Sequence, residues 1–105
     1  MINIEVNPGI CALKTIINVE SEDQETASIE IVSDCPFIRS ISDELKEVDG
    51  YTECFSKFGE SQTFKLANKY CKHPGCPVPS AIIKGVEVAC GLALPKNVEI
   101  SVVKK

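Results

Sequence analysis

A chain of 105 residues is long enough for one hydrophobic core and too short for two independently folding domains. Its hydrophobic fraction of 44% and charged fraction of 25% are typical of a folded globular domain rather than a disordered chain. The 15 acidic residues outnumber the 11 basic ones, and the resulting net charge of −4 disfavours binding to nucleic-acid phosphates. No apolar run reaches the roughly 18 residues of a membrane span, and no basic segment leads into an apolar one after Met1, so we expect a cytoplasmic protein.

The first half of the chain predicts a β-hairpin followed by a helix. Residues 10–20 are rich in β-branched side chains, and residues 27–32 alternate apolar with polar side chains, so an acidic loop joins two predicted strands. Pro36 suits the first turn of a helix, and the spacing of Ile38, Ile41, Leu45 and Val48 predicts a helix over residues 36–47. Residues 51–59 fit either a short strand or a loop.

The second half predicts two more helices and a final strand. Ser61 can cap a helix that ends near Tyr70 or Cys71. A third helix begins around residues 77–80, is bounded by Gly91 and Pro95, and buries one apolar face: Ile82, Val86, Ala89, Cys90 and Ala93. Alternation of apolar and polar side chains over residues 98–103 predicts the last strand. The predicted order is β-β-α-α-α-β, a single α+β domain whose N-terminal antiparallel hairpin and C-terminal strand pack with the three helices.

Six cysteines in a chain with one histidine and no tryptophan are the outstanding feature of the composition. Because no secretory signal is visible, metal binding or thiol chemistry is favoured over structural disulfides. Cys35-Pro36 and Cys76-Pro77 are each followed by apolar residues at offsets of six, ten and thirteen, so both pairs are expected to begin a helix. A helix N-terminus stabilises a thiolate and lowers its pKa. The alternative is a small buried residue at a loop-to-helix junction.

Two further cysteines can join these. Cys71 and Cys76 flank a loop with Pro74 and Gly75, so both sulfurs can point at one centre. Cys11 belongs to the first predicted strand, and the hairpin sets that strand beside the one that ends near Cys35.

The order of these motifs resembles the TSCPD-type domain, which occurs alone or appended to ribonucleotide reductases. The resemblance spans about residues 8–91 and is carried by Gly9-Ile10-Cys11, Cys35-Pro36, the lone Cys71 and Cys76-Pro77. The chain departs from that pattern at Ser33-Asp34, Phe37-Ile38 and Val78-Pro79, and is also similar to small cysteine-rich proteins of anaerobic microbes. The resemblance implies that four cysteines act together: Cys11, Cys35, Cys71 and Cys76.

Four thiolates suit either an iron–sulfur cluster or a zinc ion. The repeated Cys-Pro pair and the lack of C-x-x-C knuckles favour the cluster. His73 lies between Cys71 and Cys76 and is a possible replacement ligand, although a lone histidine in a Pro-Gly loop is more simply solvated. Cys54 and Cys90 are expected to pack in the core.

Other functions stay open. Cys76-Pro77-Val78-Pro79 resembles the C-P-x-P motif of TusA-like sulfur-relay proteins, which implies a sulfur carrier or sulfurtransferase with Cys76 as persulfide nucleophile. A thiol redox switch and an interaction module without metal are further alternatives. We expect a protein partner, which the sequence does not identify, and hydrolytic catalysis is poorly supported by a single histidine.

Overall fold

The computed structural model describes residues 1–105 and has a four-stranded antiparallel sheet covered on one face by four helices. Each strand pairs with the next one along the chain: β1 (Ile2–Val6), β2 (Thr15–Glu20), β3 (Thr26–Ser33) and β4 (Glu47–Asp49). The helices are α1 (Pro36–Glu44), α2 (Gly50–Phe55), α3 (Gln62–Tyr70) and α4 (Val78–Ala89). The predicted α+β class is therefore confirmed.

Alternation along the strands explains why only one face of the sheet carries helices. In β2, Ile17 and Val19 are fully buried, whereas Asn18 points to the opposite face. There the amide of Asn18 accepts a hydrogen bond from Asn3 at 2.7 Å and donates one to Glu30 at 3.2 Å, which joins three strands through polar side chains. The apolar face packs against α4 over β1 and β2 and against α1 over β3. A polar outer face and an apolar inner face are the expected consequence of a period-two pattern.

The predicted central hairpin forms as β2 and β3, with Ile17 opposite Ile31. The predicted helices after Ser61 and Pro77 are also present as α3 and α4. Ser61 caps α3 by accepting a hydrogen bond from the backbone N–H of Phe64 at 3.2 Å. Gly91, which follows α4, has a positive φ of 72°, a conformation that glycine adopts without steric cost.

Four details of the predicted element order are wrong. The strand over residues 10–20 begins only at Thr15, and a strand that was not predicted, β1, precedes it. The first helix ends at Glu44 rather than residue 47, because Val48 is buried in β4 opposite Ala27. The undecided segment 51–59 contributes helix α2, whose N-cap is Asp49. The observed order is β-β-β-α-β-α-α-α.

The fourth wrong detail is the predicted C-terminal strand. Residues 98–103 have the alternation of a strand, but they pair with no other strand and lie exposed on the surface. A strand needs a neighbour to satisfy its backbone hydrogen bonds, and these residues have none within the chain. None of the four helices has both the length and the apolar character needed to span a membrane.

Candidate functional site

The four cysteines singled out by the sequence belong to three connections at one end of the sheet, which we call the cysteine end. Cys11 lies in the β1–β2 loop, Cys35 precedes α1, and Cys71 and Cys76 bound the loop between α3 and α4. Because β2 and β3 are antiparallel and Thr15 is opposite Ser33, the β1–β2 loop and the end of β3 lie at the same end of the sheet. The loop between α3 and α4 lies at that end as well.

Cys11 does not lie in a strand, as predicted, but in an exposed turn. The turn is closed by a hydrogen bond from the backbone N–H of Ala12 to the carbonyl of Gly9 at 3.0 Å. Both residues have positive φ, 101° at Gly9 and 58° at Ala12. Gly9 adopts this conformation freely, and its lack of a side chain lets the backbone turn sharply just before Cys11.

Hydrogen bonds tie the Cys11 loop to the start of α1. The N–H of Asp34 donates to the carbonyl of Lys14 at 3.0 Å, and the Ser33 hydroxyl lies 2.7 Å from the Thr15 hydroxyl. The same Ser33 oxygen accepts the N–H of Cys35 at 3.0 Å, which orients the backbone at this cysteine. Sequence reasoning did not assign a role to Ser33, although a serine two residues before a cysteine is a recognisable local side-chain-to-backbone motif.

Cys35, Cys71 and Cys76 are half-buried and pack against the hydrophobic core. Burial, together with negative charge on Cys76 and Cys35, raises the pKa of Cys71 to about 11. Burial also raises the pKa of Cys76; the N–H of Val78 and the neighbouring Cys71 thiol lower it, whereas charge on Cys35 and Cys11 raises it. All four cysteines thus lie within electrostatic reach of Cys76 or of its neighbour.

The expected low pKa at the start of a helix is therefore wrong for Cys76. The N–H of Val78, in the first turn of α4, does favour the thiolate, but desolvation of the half-buried sulfur outweighs it. A half-buried thiol among other thiols is harder to ionise than one that faces water at a helix N-terminus.

As the side chains stand, no three His, Cys, Asp or Glu side chains form a group that could hold a single metal ion. His73 is exposed, and its backbone carbonyl accepts the N–H of Cys76 at 3.1 Å, which closes the loop between the two cysteines. His73 therefore contributes to the loop through its backbone carbonyl and not through its imidazole.

Basic side chains, which the sequence analysis did not single out, surround the cysteine end. Arg39 donates to the backbone carbonyls of Ser33 at 2.9 Å and of Asp34 at 2.9 Å, so its charge is held beside the start of α1. Lys72 follows Cys71, and its ammonium lies 5.7 Å from the centre of the Phe37 ring. Arg39 belongs to α1 and Lys72 to the loop after α3, so no local pattern in the sequence predicts that both cations lie near the start of α1.

Cys54 and Cys90 lie apart from this site. Cys90 is 3% exposed and lies at the end of α4, where its sulfur packs so closely on Gly50 that a β-carbon there would be 2.5 Å away. Burial raises the pKa of Cys54 to about 12, helped by negative charge on Glu87 and Cys90. The prediction that Cys90 belongs to the core is confirmed, and Cys54 packs against the same core.

Comparison with known families gives one match, which covers nearly the whole chain. Residues 2–102 match the model of a family of unknown function, DUF6951, and the chain belongs to that family. No curated protein and no solved structure matches the chain.

Proposed function

We propose that this member of the DUF6951 family is a metal-binding protein in which Cys11, Cys35, Cys71 and Cys76 hold one iron–sulfur cluster or one zinc ion. The observation that carries the proposal is the mutual electrostatic effect of these thiols. Cys76 responds to charge on Cys35 and Cys11, and Cys71 responds to charge on Cys76 and Cys35. Cysteines from three separate connections thus influence one another's ionisation.

Repulsion among neighbouring thiolates favours a cation. Without one, burial and mutual repulsion keep Cys71 and Cys76 protonated, as their raised pKa values express. A bound cation reverses this balance, because the charges that repel one another attract the metal and a coordinating thiol is deprotonated outright. Metal binding at these cysteines would therefore release protons and would add its free energy to that of folding.

The repeated Cys-Pro pair, at Cys35 and at Cys76, favours a cluster over a single zinc ion. Tetrahedral zinc with Zn–S bonds of about 2.3 Å holds its four sulfurs roughly 3.8 Å apart. A cluster places several iron and sulfide atoms between its ligands, so its thiolates lie farther apart.

The surrounding charges suit either metal. Four thiolates with one zinc ion carry a net charge of about −2, and many clusters with four thiolates are also anionic. Arg39 and Lys72 offset that charge from beside two of the cysteine-bearing connections. The exposed Cys11 turn is the part of the site with the fewest packing contacts, so we expect it to move most when metal binds.

The test begins with expression under anaerobic conditions and purification without chelators. Iron, zinc and acid-labile sulfide are measured per chain, together with visible absorption. Iron with sulfide and a brown colour would establish a cluster, and about one zinc per colourless chain would establish a zinc site. A folded, metal-free protein that takes up neither metal after anaerobic reconstitution would overturn the proposal.

Variants then identify the ligands. Cys35→Ser and Cys76→Ser should lose most of the bound metal, because each removes one of four thiolates. Cys54→Ala and Cys90→Ala are matched controls on the same chain and should retain it, since neither is part of the electrostatic group at the cysteine end. Equal metal content in all four variants would contradict the ligand assignment.

A second candidate function is a sulfur carrier that uses Cys76. The observation that favours it is the Val78 N–H, which stabilises a charged Cys76 sulfur at the start of α4. Incubation with a persulfide donor, whose outer sulfur passes to the Cys76 thiolate while the donor leaves as a thiolate, would then add a mass of about 32 Da at Cys76. A thiol switch would instead lose free thiols in pairs on oxidation.

For the metal-binding protein and for the sulfur carrier alike, we propose that the protein acts in the cytoplasm, where thiols stay reduced, and that it acts with a protein partner.

A further inference from the structure

The C-terminal segment has the sequence of a β-strand but no strand to pair with. Residues 93–105 make no backbone hydrogen bond within the chain. Val98, Ile100 and Val102 alternate with Glu99 and Ser101, and the three apolar side chains are 63%, 74% and 91% exposed. The family match extends to residue 102, so this alternating segment belongs to the family's domain. We call residues 98–103 the tail.

The sheet offers the tail an unpaired edge. Strand β1 is hydrogen-bonded only to β2, so the backbone groups on its other side have no partner. Ile2, Ile4 and Val6 face the helices, and α4 packs against β1 on that side. An added strand with the same alternation would continue both faces of the sheet, and an open edge of this kind is a template for such an addition.

We propose that the tail of one copy of this chain pairs antiparallel with β1 of a second copy, and that the two copies exchange tails in a symmetric dimer. In this arrangement Val102, Ile100 and Val98 lie opposite Ile2, Ile4 and Val6 and share their apolar face. Such an interface is self-complementary, as a two-fold dimer requires.

Charge favours the antiparallel direction. At the Ile2 end of β1, which lies opposite Val19, the end of β2 and the β2–β3 loop carry four carboxylates: Glu20, Glu22, Asp23 and Glu25. We call this the hairpin end. Antiparallel pairing brings Lys104 and Lys105 to these carboxylates, whereas parallel pairing carries them to the other end of β1, away from this acidic cluster. Only the first arrangement places the two lysines beside opposite charges, so charge attraction favours antiparallel pairing.

Chain length favours a second copy over the chain's own edge. Helix α4 ends at the hairpin end, where Cys90 meets Gly50 and Gly91 meets the side chain of Gln24. To pair antiparallel with its own β1, the chain would first have to cross the sheet to the Val6 end and then turn back. Leu92 is still tied to α4, because its N–H donates to the carbonyl of Glu87. The six steps from Leu92 to Val98 cover at most about 20 Å. The chain would have to run about 14 Å along β1 while it descends roughly 10 Å from the helix layer to the sheet, a direct path of about 17 Å. Too little chain remains for the turn.

The first test is the mass of the full chain, measured by sedimentation equilibrium over a range of concentrations. We expect a dimer, with slowed amide hydrogen exchange both in residues 2–6 and in the tail. A monomer with an exposed tail would overturn the proposal. A monomer with a protected tail would show that the tail pairs within its own chain, and would overturn it as well.

Two neighbouring substitutions separate the proposed pairing from other dimers. Ile100→Asp puts a charge on the apolar face of the added strand and should weaken dimerisation by about tenfold or more. Ser101→Asp introduces the same charge one residue later, on the polar face, and should change the dissociation constant by less than about threefold. Both side chains are exposed in the single chain, so neither change should alter its fold. Equal effects of the two variants would overturn the proposal.

Charge exchange tests the direction of pairing. Lys104→Glu with Lys105→Glu should weaken the dimer, and more so at low salt, because glutamates would face the acidic hairpin end. Mixing this variant with a chain carrying Glu20→Lys and Glu22→Lys should restore association between the two. No restoration in the mixture, with each variant still folded, would refute antiparallel pairing.

Discussion

We expect substitution of Glu53 to lower the stability of the fold strongly, because its buried carboxylate accepts hydrogen bonds from the start of α3. The side chain is 5% exposed and accepts three hydrogen bonds: from the N–H of Gln62 at 2.8 Å, from the N–H of Thr63 at 3.1 Å, and from the Thr63 hydroxyl at 2.7 Å. Together with the Ser61 cap, it satisfies the first N–H groups of a helix that leads directly to Cys71. An acidic group at this position also complements the helix dipole.

The magnitude follows from these three bonds. A hydrogen bond to a charged group contributes about 1.5–3 kcal/mol, but burial of the carboxylate offsets part of the sum. Glu53→Ala, which leaves buried donors without a partner, should lower the free energy of unfolding by about 3–5 kcal/mol. This loss is a large share of the free energy of unfolding of a typical domain, which is about 5–15 kcal/mol. Glu53→Gln keeps the shape but turns an NH₂ donor toward other donors, and should cost about half as much.

Urea denaturation followed by circular dichroism measures these changes. Thr63→Val removes only the hydroxyl bond and should cost about 1 kcal/mol, so it reports on the same contact if Glu53→Ala does not fold. Glu60→Gln, at an exposed position nearby, is the control and should leave stability unchanged. A loss below about 1 kcal/mol for Glu53→Ala, with a normal slope, would refute the view that this carboxylate holds α3 in place.

Two further predictions concern packing and acid stability. A β-carbon at Gly85 of α4 would lie 2.8 Å from a methyl of the rigid, buried Val19, so Gly85→Ala should destabilise by about 1–2 kcal/mol despite the better helix propensity of alanine. Combination with Val19→Ala should recover part of this loss in thermal unfolding, and stabilisation by Gly85→Ala alone would disprove the close contact. Hydrogen bonds from the Thr52 hydroxyl and N–H lower the pKa of Asp49 below its usual 3.8, so its stabilisation is present above that value and disappears as pH falls through the lowered pKa. Asp49→Asn keeps a capping group without titrating, and its stability should therefore fall less between pH 4 and pH 2, roughly, than that of the parent chain.

The parts of the fold that the sequence predicted depend on local signals. The alternation in β2 and β3 and the Ser61 cap of α3 each involve neighbouring residues, and each is present. Val48 shows where such signals fail, because its spacing from Ile41 and Leu45 fits a helix equally well. Val48 lies in a strand because it pairs with Ala27 across the sheet, and a contact between residues so far apart in the chain cannot be read from the local sequence pattern.

In the candidate site, too, the features that depend on neighbouring residues were predicted and those that depend on distant residues were not. The Cys-Pro pairs predicted where two helices begin, and α1 and α4 do begin within two residues of Cys35 and Cys76. The ionisation of Cys76 could not be predicted, because it depends on desolvation by core residues far along the chain and on charge from Cys11 and Cys35. The positions of Arg39 and Lys72 likewise depend on the packing of the α3–α4 loop against α1.

The two proposals rest on different groups, the thiols of the cysteine end and the β1 edge with its acidic hairpin end, so each can fail without the other. Strand β2 runs between those ends, and its six residues separate them by about 20 Å. This distance exceeds the Debye length of about 8 Å at physiological ionic strength, so charge changes at one end are largely screened at the other. Cys76→Ser should accordingly remove metal without changing the dimer, and Ile100→Asp should separate the copies without changing the metal content. Joint loss of metal and dimer in both variants would mean that a single interface contains the cysteines, which neither proposal allows.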